Sequence, residues 1–251
     1  MTTQGTPLAG RVFLVAGASG AIGAACARTL LELGGDVVAG YNANADALEP
    51  LVKRAADLGR TLSPIQADLA SPDGPGRLVA AALQAHGRAD GCVAAAGRIG
   101  RRLALGTSAD QLGELLRVNT LGTLEVARAC LRPMMRAGYG RIVLVGSRAG
   151  VAGQPGAAAY AATKGALQSW AASVAGEVGR HGVTVNVVAP GAIRTAEQRY
   201  TAAEEELALR LIGAGRLGEP TEVAAAVAFL SSPQASYING SVLMVDGGAR
   251  L

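Results

Sequence analysis

The sequence predicts a single α/β domain, one doubly wound parallel sheet of about seven strands with helices on both faces. Three observations predict it. Its short apolar runs are continuous rather than alternating, as in strands buried on both sides. Longer stretches with the apolar period of helices separate those runs. Glycine fills 35 of the 251 positions with no three-residue period, which excludes a collagen-like chain and points to many tight turns between buried elements. At 50% hydrophobic and 17% charged residues, the chain is too apolar to be disordered.

The first strand, Val12–Ala16, runs into Gly17-Ala18-Ser19-Gly20-Ala21-Ile22-Gly23 and a helix over Ala21–Leu33. Glycines at Gly17, Gly20 and Gly23 let the chain turn tightly and bring backbone N–H groups, with Ser19 and Ile22, close to a pyrophosphate at the helix N-terminus. The second strand, Val37–Ala39, ends at Gly40-Tyr41-Asn42. A carboxylate here would bond the ribose 2′-OH of NAD and repel a 2′-phosphate; its absence favours NADP(H), contacted by Tyr41 and Asn42. Asp46 stands close enough in sequence to keep NAD(H) open. A helix over Ala45–Leu58, a weaker strand at Leu62–Gln66, a helix over Gly74–His86 and a strand at Cys92–Ala95 follow, then one long helix over Asp110–Ala137.

The fifth strand, Ile142–Val145, leads to Ser147, and the next helix, Tyr160–Arg180, opens with Tyr160-Ala-Ala-Thr-Lys164. Residues i and i+4 share a helix face, so Lys164 lies beneath the Tyr160 phenol. An ammonium there favours phenolate and lowers the phenol pKa from about 10. With five tyrosines and two lysines in the chain, chance gives roughly 0.04 such pairs, too few for an incidental surface helix. A Ser147 hydroxyl at the end of a buried strand suits a carbonyl on which charge develops. The sixth strand, Val183–Ala189, precedes a segment, 192–213, that reads as a lid over the substrate; Glu204–Glu206 cap or solvate a short mobile helix in it. A helix over Thr221–Leu230 and a strand at Val242–Val245 complete the domain, which spans residues 1–251 with no linker or repeat to divide it.

Other classes fall away. No apolar run approaches the roughly 18 to 20 residues of a membrane helix. The opening MTTQGTPLAGR has neither a basic nor an apolar leader region, so we read a soluble, cytoplasmic protein. Cys26, Cys92 and Cys130 form no metal-site spacing with the two histidines and read as buried free thiols, with no metal expected. A net charge of +4 and 3% aromatic residues argue against nucleic-acid binding. Around Ser147 there is no G-x-S-x-G elbow and no histidine in a triad context, against nucleophilic hydrolysis.

Taken together, the glycine loop, Asp68-Leu69, Ala96-Gly97, Asn119, Ser147, Tyr160, Lys164, Pro190-Gly191 and Thr195 resemble, in order and spacing, the short-chain dehydrogenase/reductase family over essentially the whole chain. The stretches Gly182–Gly191, Gly215–Pro220, Tyr237–Gly240 and Asp246–Gly248 are most similar to the 3-oxoacyl-acyl-carrier-protein reductases. The resemblance implies a Rossmann fold and NAD(P)-dependent carbonyl reduction. Tyr160 would be the general acid, and Ser147 would orient the carbonyl. Lys164 would hold the cofactor ribose, lower the Tyr160 pKa and relay protons with Asn119. It further implies that Asp68 and Leu69 contact the adenine, that Ala96 and Gly97 line the ribose, and that Pro190, Gly191, Ile193 and Thr195 hold the nicotinamide.

It also implies a homotetramer, paired through the long helices and through the last helix and strand. The apolar face of Ala161, Leu167, Trp170, Ala171 and Val174 is compatible with a partner helix, and burial against the chain's own sheet explains part of it equally well. The chain departs from the family pattern at Ala16, Ala21, Ala94 and Ala95, where threonine, glycine and asparagines are usual. Arg98, Arg101, Arg102, Arg148 and Arg194 fall in the substrate-wall segments and favour an anionic thioester, bound to acyl carrier protein or coenzyme A. A small free alcohol, ketone or sugar is the alternative substrate, and a catalytically idle scaffold is the reading from another class.

Overall fold

The computed structural model describes residues 6–196 and 201–250, so residues 197–200 of the expected lid lie outside the described residues. Among the described residues, seven strands form one sheet in the order β3-β2-β1-β4-β5-β6-β7, every neighbouring pair parallel. In chain order the elements are β1 (Val12–Ala16), α1 (Ala21–Glu32), β2 (Asp36–Tyr41), α2 (Glu49–Asp57), β3 (Leu62–Gln66), α3 (Gly74–His86), β4 (Gly91–Ala94) and α4 (Ala109–Leu116). Then come α5 (Thr123–Ala137), β5 (Gly140–Val145), α6 (Arg148–Ala152), α7 (Ala158–Val178), β6 (Val183–Pro190), α8 (Ala202–Leu211), α9 (Pro220–Leu230) and β7 (Val242–Val245).

The continuous apolar runs are divided between two cores by the two-residue period of a strand. Leu14, Cys92, Ile142 and Leu144 point to one face, packed by Leu78 of α3, Val126 and Met134 of α5, and Leu167 and Val174 of α7. Phe13, Val15, Val93, Val143 and Val145 point to the other, under Leu30 of α1, Leu51 of α2 and Val227 of α9. All three cysteines are buried and unpaired, and burial pushes the Cys26 thiol up to about 12.

From β1 the strand order runs outward through β2 and β3, then returns to place β4 on the other flank of β1. That reversal opens a crevice at the carboxyl ends of β1 and β4. There Gly17 turns with φ of +83°, and a Cβ on it would lie 2.7 Å from the Ala96 backbone. Ala95 N–H donates to the Ala16 carbonyl at 2.9 Å. With alanines at 16, 94 and 95, this end of the β1–β4 pair is joined by backbone bonds, whereas at the other end the Asp90 carboxylate accepts from Val12 N–H at 2.9 Å.

Two expectations need correction. The long helix Asp110–Ala137 is broken by a π-helical turn at Arg117–Gly122, because Gly122 packs against the Leu69 carbonyl and the widened turn swings Asn119 inward. β7, the last strand of the sheet, is not buried on both faces: Val242, Leu243 and Met244 are 36–37% exposed. The chain after Ser147 forms a further helix, α6, capped by the Ser147 hydroxyl. On α7, Leu167, Ala171 and Val174 pack into the chain's own core, one of the two readings of that face.

A methyl group reads this packing at single positions. A Cβ on Gly23 would overlap the Gly17 carbonyl, whereas one on Gly176, inside α7, meets nothing within 4 Å. Urea melts of Gly23→Ala are expected to show a loss of roughly 2–3 kcal/mol. Gly176→Ala gains about 0.5–1 kcal/mol from helix propensity.

Candidate active site

The crevice is a cleft of about 760 Å³ across the carboxyl ends of the strands, within the usual size range for small-molecule and cofactor sites. The residues singled out in the sequence line it as a series of stations. Gly17, Ser19, Gly20, Ile22 and Gly23 form one wall, followed by Tyr41 and Asn42 after β2 and by Asp68 and Leu69 after β3. Ala96 and Gly97 follow β4; Ser147, Tyr160 and Lys164 stand at β5 and α7; Pro190, Gly191, Ile193 and Thr195 close the far side. Asn44 lines the cleft as well, while Asp46 opens a short 3-10 turn and is not among the lining residues.

Asn119 stands behind the cleft, fully buried in the π turn. Its Oδ1 accepts from Arg98 N–H at 2.7 Å, and its Nδ2 donates to the Arg98 carbonyl at 2.9 Å and to Thr163 Oγ1 at 3.1 Å. Thr163 in turn donates to the Tyr160 carbonyl at 2.7 Å. The turn after β4 is thereby joined to the first turn of α7. Thr163 was not singled out in the sequence, where a threonine between Tyr160 and Lys164 carries no distinctive signal.

Lys164 is 3% exposed and donates from Nζ to the Val145 carbonyl at 2.9 Å, tying α7 to the end of β5. That acceptor is a backbone group, so no side chain could have announced it. Burial pulls the ammonium pKa down to about 8. The phenol differs from expectation: burial pushes Tyr160 above its ordinary value, and the group opposing the rise is the Ser147 hydroxyl rather than Lys164. The reason is geometric, since the ammonium is directed at the Val145 carbonyl.

Most of the substrate-wall arginines are engaged within the chain. Arg101 pairs with Glu204 and Arg194 with Glu205 and Glu219, each at 3.5 Å. Arg102 donates to the Gly106 carbonyl at 3.3 Å, and Arg148 donates to the Arg250 carbonyl at 2.6 Å. Arg98 lines the cleft. The acidic run divides its roles: Glu204 closes a capping box with Thr201, whose Oγ1 accepts from Glu204 N–H at 3.2 Å, while Glu205 and Glu206 pair with Arg194 and Arg210.

The Lys164 shift fixes the sign of a pH dependence. The unfolded chain holds this proton up to about 10.5 and the folded chain releases it near 8, so stability rises with pH across that window. Relative to Lys164→Met, the wild type is expected to gain on the order of 2 kcal/mol between about pH 7 and 10 in denaturant melts. A constant difference between the two proteins would contradict the buried ammonium.

Comparison with known proteins agrees with this geometry. A family model described as Enoyl-(Acyl carrier protein) reductase matches residues 16–250. The 3-oxoacyl-[acyl-carrier-protein] reductase FabG of Vibrio cholerae is 36% identical over 242 residues, 96% of this chain and 98% of that protein. Versicolorin reductase stcU of Emericella nidulans is 36% identical over 256 residues, covering 96% of each. A solved short-chain dehydrogenase/reductase from Serratia marcescens superposes with a TM-score of 0.91 at 33% identity, covering 96% of this chain and 98% of that one. On this sequence, sheet order and cleft, the chain belongs to the short-chain dehydrogenase/reductase family and is an oxidoreductase.

Proposed function

We propose that the chain reduces a 3-oxoacyl thioester, carried on acyl carrier protein or coenzyme A, to the 3-hydroxyacyl thioester at the expense of NADPH. The observation that carries this reading is the single cleft, in which the glycine wall and the Ser147, Tyr160 and Lys164 side chains face one space. NADPH supplies the hydride when bound. Gly17, Ser19, Gly20 and Gly23 hold its diphosphate, and the absence of a carboxylate at Tyr41, Asn42 and Asn44 suits a 2′-phosphate.

Ser147 donates a hydrogen bond to the substrate carbonyl oxygen, and Tyr160 delivers the proton that completes the hydroxyl. A phenol is protonated at neutral pH with or without the rise that burial gives Tyr160, and the alkoxide that develops on the substrate is basic enough to take its proton. Lys164 holds the ribose hydroxyls beneath it, and Asn119, clamped to Arg98 and Thr163, fixes the relay side of the site.

An acyl substrate is supported by exposed apolar side chains: Ile99 lines the cleft, and Ile99, Leu103 and Leu105 after β4, Val151 on α6, and Leu207 and Leu211 on α8 are all 41% exposed or more. The engaged arginines shift the weight of recognition from anionic groups toward this apolar surface. Segment 192–213, with α8, acts as the lid. The exposed Val242, Leu243 and Met244 of β7 with Phe229 of α9 support assembly into a homotetramer. Since the relatives named for versicolorin match as well as those named for acyl-carrier substrates, free ketones belong beside thioesters in the test.

Titration by nicotinamide fluorescence should give tighter binding of NADPH than of NADH, and Asn42→Asp should reverse the preference by about tenfold or more. With the preferred cofactor, acetoacetyl-coenzyme A should be reduced with a kcat/KM at least about tenfold above that for small free ketones. The opposite ranking would move the assignment to a dehydrogenase of free alcohols and ketones. Light scattering should give about 100 kDa, four times the 25.1 kDa chain. A 25.1 kDa species would overturn the tetramer.

A further inference from the structure

We infer that Arg148 is a positioning residue that ties the segment bearing Ser147 to the C-terminal segment Asp246–Arg250 and, through it, to the end of α8. The inference rests on the reading of Ser147, Tyr160 and Lys164 given above.

Arg148 is the residue after Ser147 and the first of α6. Its Nη2 donates to the Arg250 carbonyl at 2.6 Å, and its Nε lies 3.7 Å from Asp246 Oδ2. The two side chains are 17% and 14% exposed, whereas those of the Arg101–Glu204 pair are 39% and 50% exposed. The Arg148 clasp is therefore the less screened of the two.

The segment that Arg148 holds is bonded on both of its sides. On one side it is paired to the end of α8: Arg250 N–H donates to the Leu211 carbonyl at 2.7 Å and Ala214 N–H to the Gly247 carbonyl at 2.9 Å. On the other, Gly191 N–H donates to the Val245 carbonyl at 3.0 Å, and a Cβ on Gly191 would sit 2.7 Å from the Asp246 side chain. Asp246 shapes the segment by accepting from Gly248 N–H at 3.1 Å. One strap thus touches the Ser147 helix, the Pro190-Gly191 turn and the end of α8. Of these, the Gly191 and α8 contacts are backbone bonds that survive any side-chain change, so Arg148 is the point at which a substitution separates Ser147 from the strap.

The test measures acetoacetyl-coenzyme A reduction, NADPH Kd by fluorescence and melting temperature in Arg148→Met, Arg148→Lys, a chain ending at Ala249, and the last combined with Arg148→Met. Arg148→Met should lower kcat/KM about tenfold with NADPH Kd unchanged and melting within about 2 °C of wild type. Arg148→Lys, which keeps the charge beside Asp246, should recover most of the loss. The chain ending at Ala249 also loses the Arg250 N–H bond to the Leu211 carbonyl, so it should lose at least as much as Arg148→Met, and adding Arg148→Met to it should cost little more, because the Arg148 link is already broken. Unchanged kcat/KM in Arg148→Met, a parallel loss of NADPH affinity, multiplying losses in the combination, or a variant that no longer folds would each overturn the inference. Tyr160→Phe in the same assay separates the two readings. If it still reduces the ketone, the catalytic reading fails; if it does not while Arg148→Met is silent, only the strap fails.

Discussion

A lysine ammonium held in the interior without a carboxylate is costly, and it persists only where its environment leaves no better arrangement. Lys164 meets that condition by donating to the carbonyl at the end of β5. For the bond to form, β5 must end where α7 begins its second turn, which requires the parallel order that places β5 between β4 and β6. The same placement sets Ser147 just beyond β5 and Tyr160 one turn ahead of Lys164 on the cleft wall. The remaining cost of burial appears as an ammonium pKa of about 8 and a phenol pushed up beside it. The same bond therefore ties the end of β5 to α7 and sets the electrostatic character of this part of the cleft.

The second constraint is the close approach of Gly17 to Ala96 at the reversal of strand order. Side chains are excluded there, so the crevice floor is backbone, and backbone N–H groups are what a diphosphate needs. Around that floor the protein uses side chains sparingly. Asn119 clamps the turn after β4, Thr163 passes the clamp to α7, and Arg148 carries the connection to the C-terminal strap. A rigid floor with a few linked side chains is the kind of preorganisation that carbonyl reduction requires, because the proton donor has to meet the carbonyl in one orientation.

Much of this was legible in the sequence. Leu62–Gln66, Gly74–His86 and Val242–Val245 form their elements with the expected bounds, because apolar runs flanked by glycine, proline and polar residues define both the period and its ends. Tyr160 and Lys164 were legible because helical spacing places them on one face. Other features carry no such mark. The π turn at Arg117–Gly122 depends on Gly122 meeting the Leu69 carbonyl, a contact between residues far apart in the chain. The acceptor for Lys164 is a peptide carbonyl, and every residue has one. Arginines in the wall segments read as anion binders because their glutamate and carbonyl partners lie on other elements. The apolar run of β7 predicted a strand correctly but not its exposure, since periodicity records what a strand is made of and not whether a neighbour covers it.

If one cleft serves both the nicotinamide and the Ser147–Tyr160 pair, hydride and proton must reach the same carbonyl. The direct measurement is reduction of acetoacetyl-coenzyme A with NADPH deuterated at the transferring C4 position, the product read by mass spectrometry in wild type and Tyr160→Phe. The account predicts one deuterium on the new carbinol carbon in the wild type, and no product from Tyr160→Phe although it still binds NADPH. An unlabelled alcohol, or labelled alcohol formed equally fast without the Tyr160 hydroxyl, would contradict it.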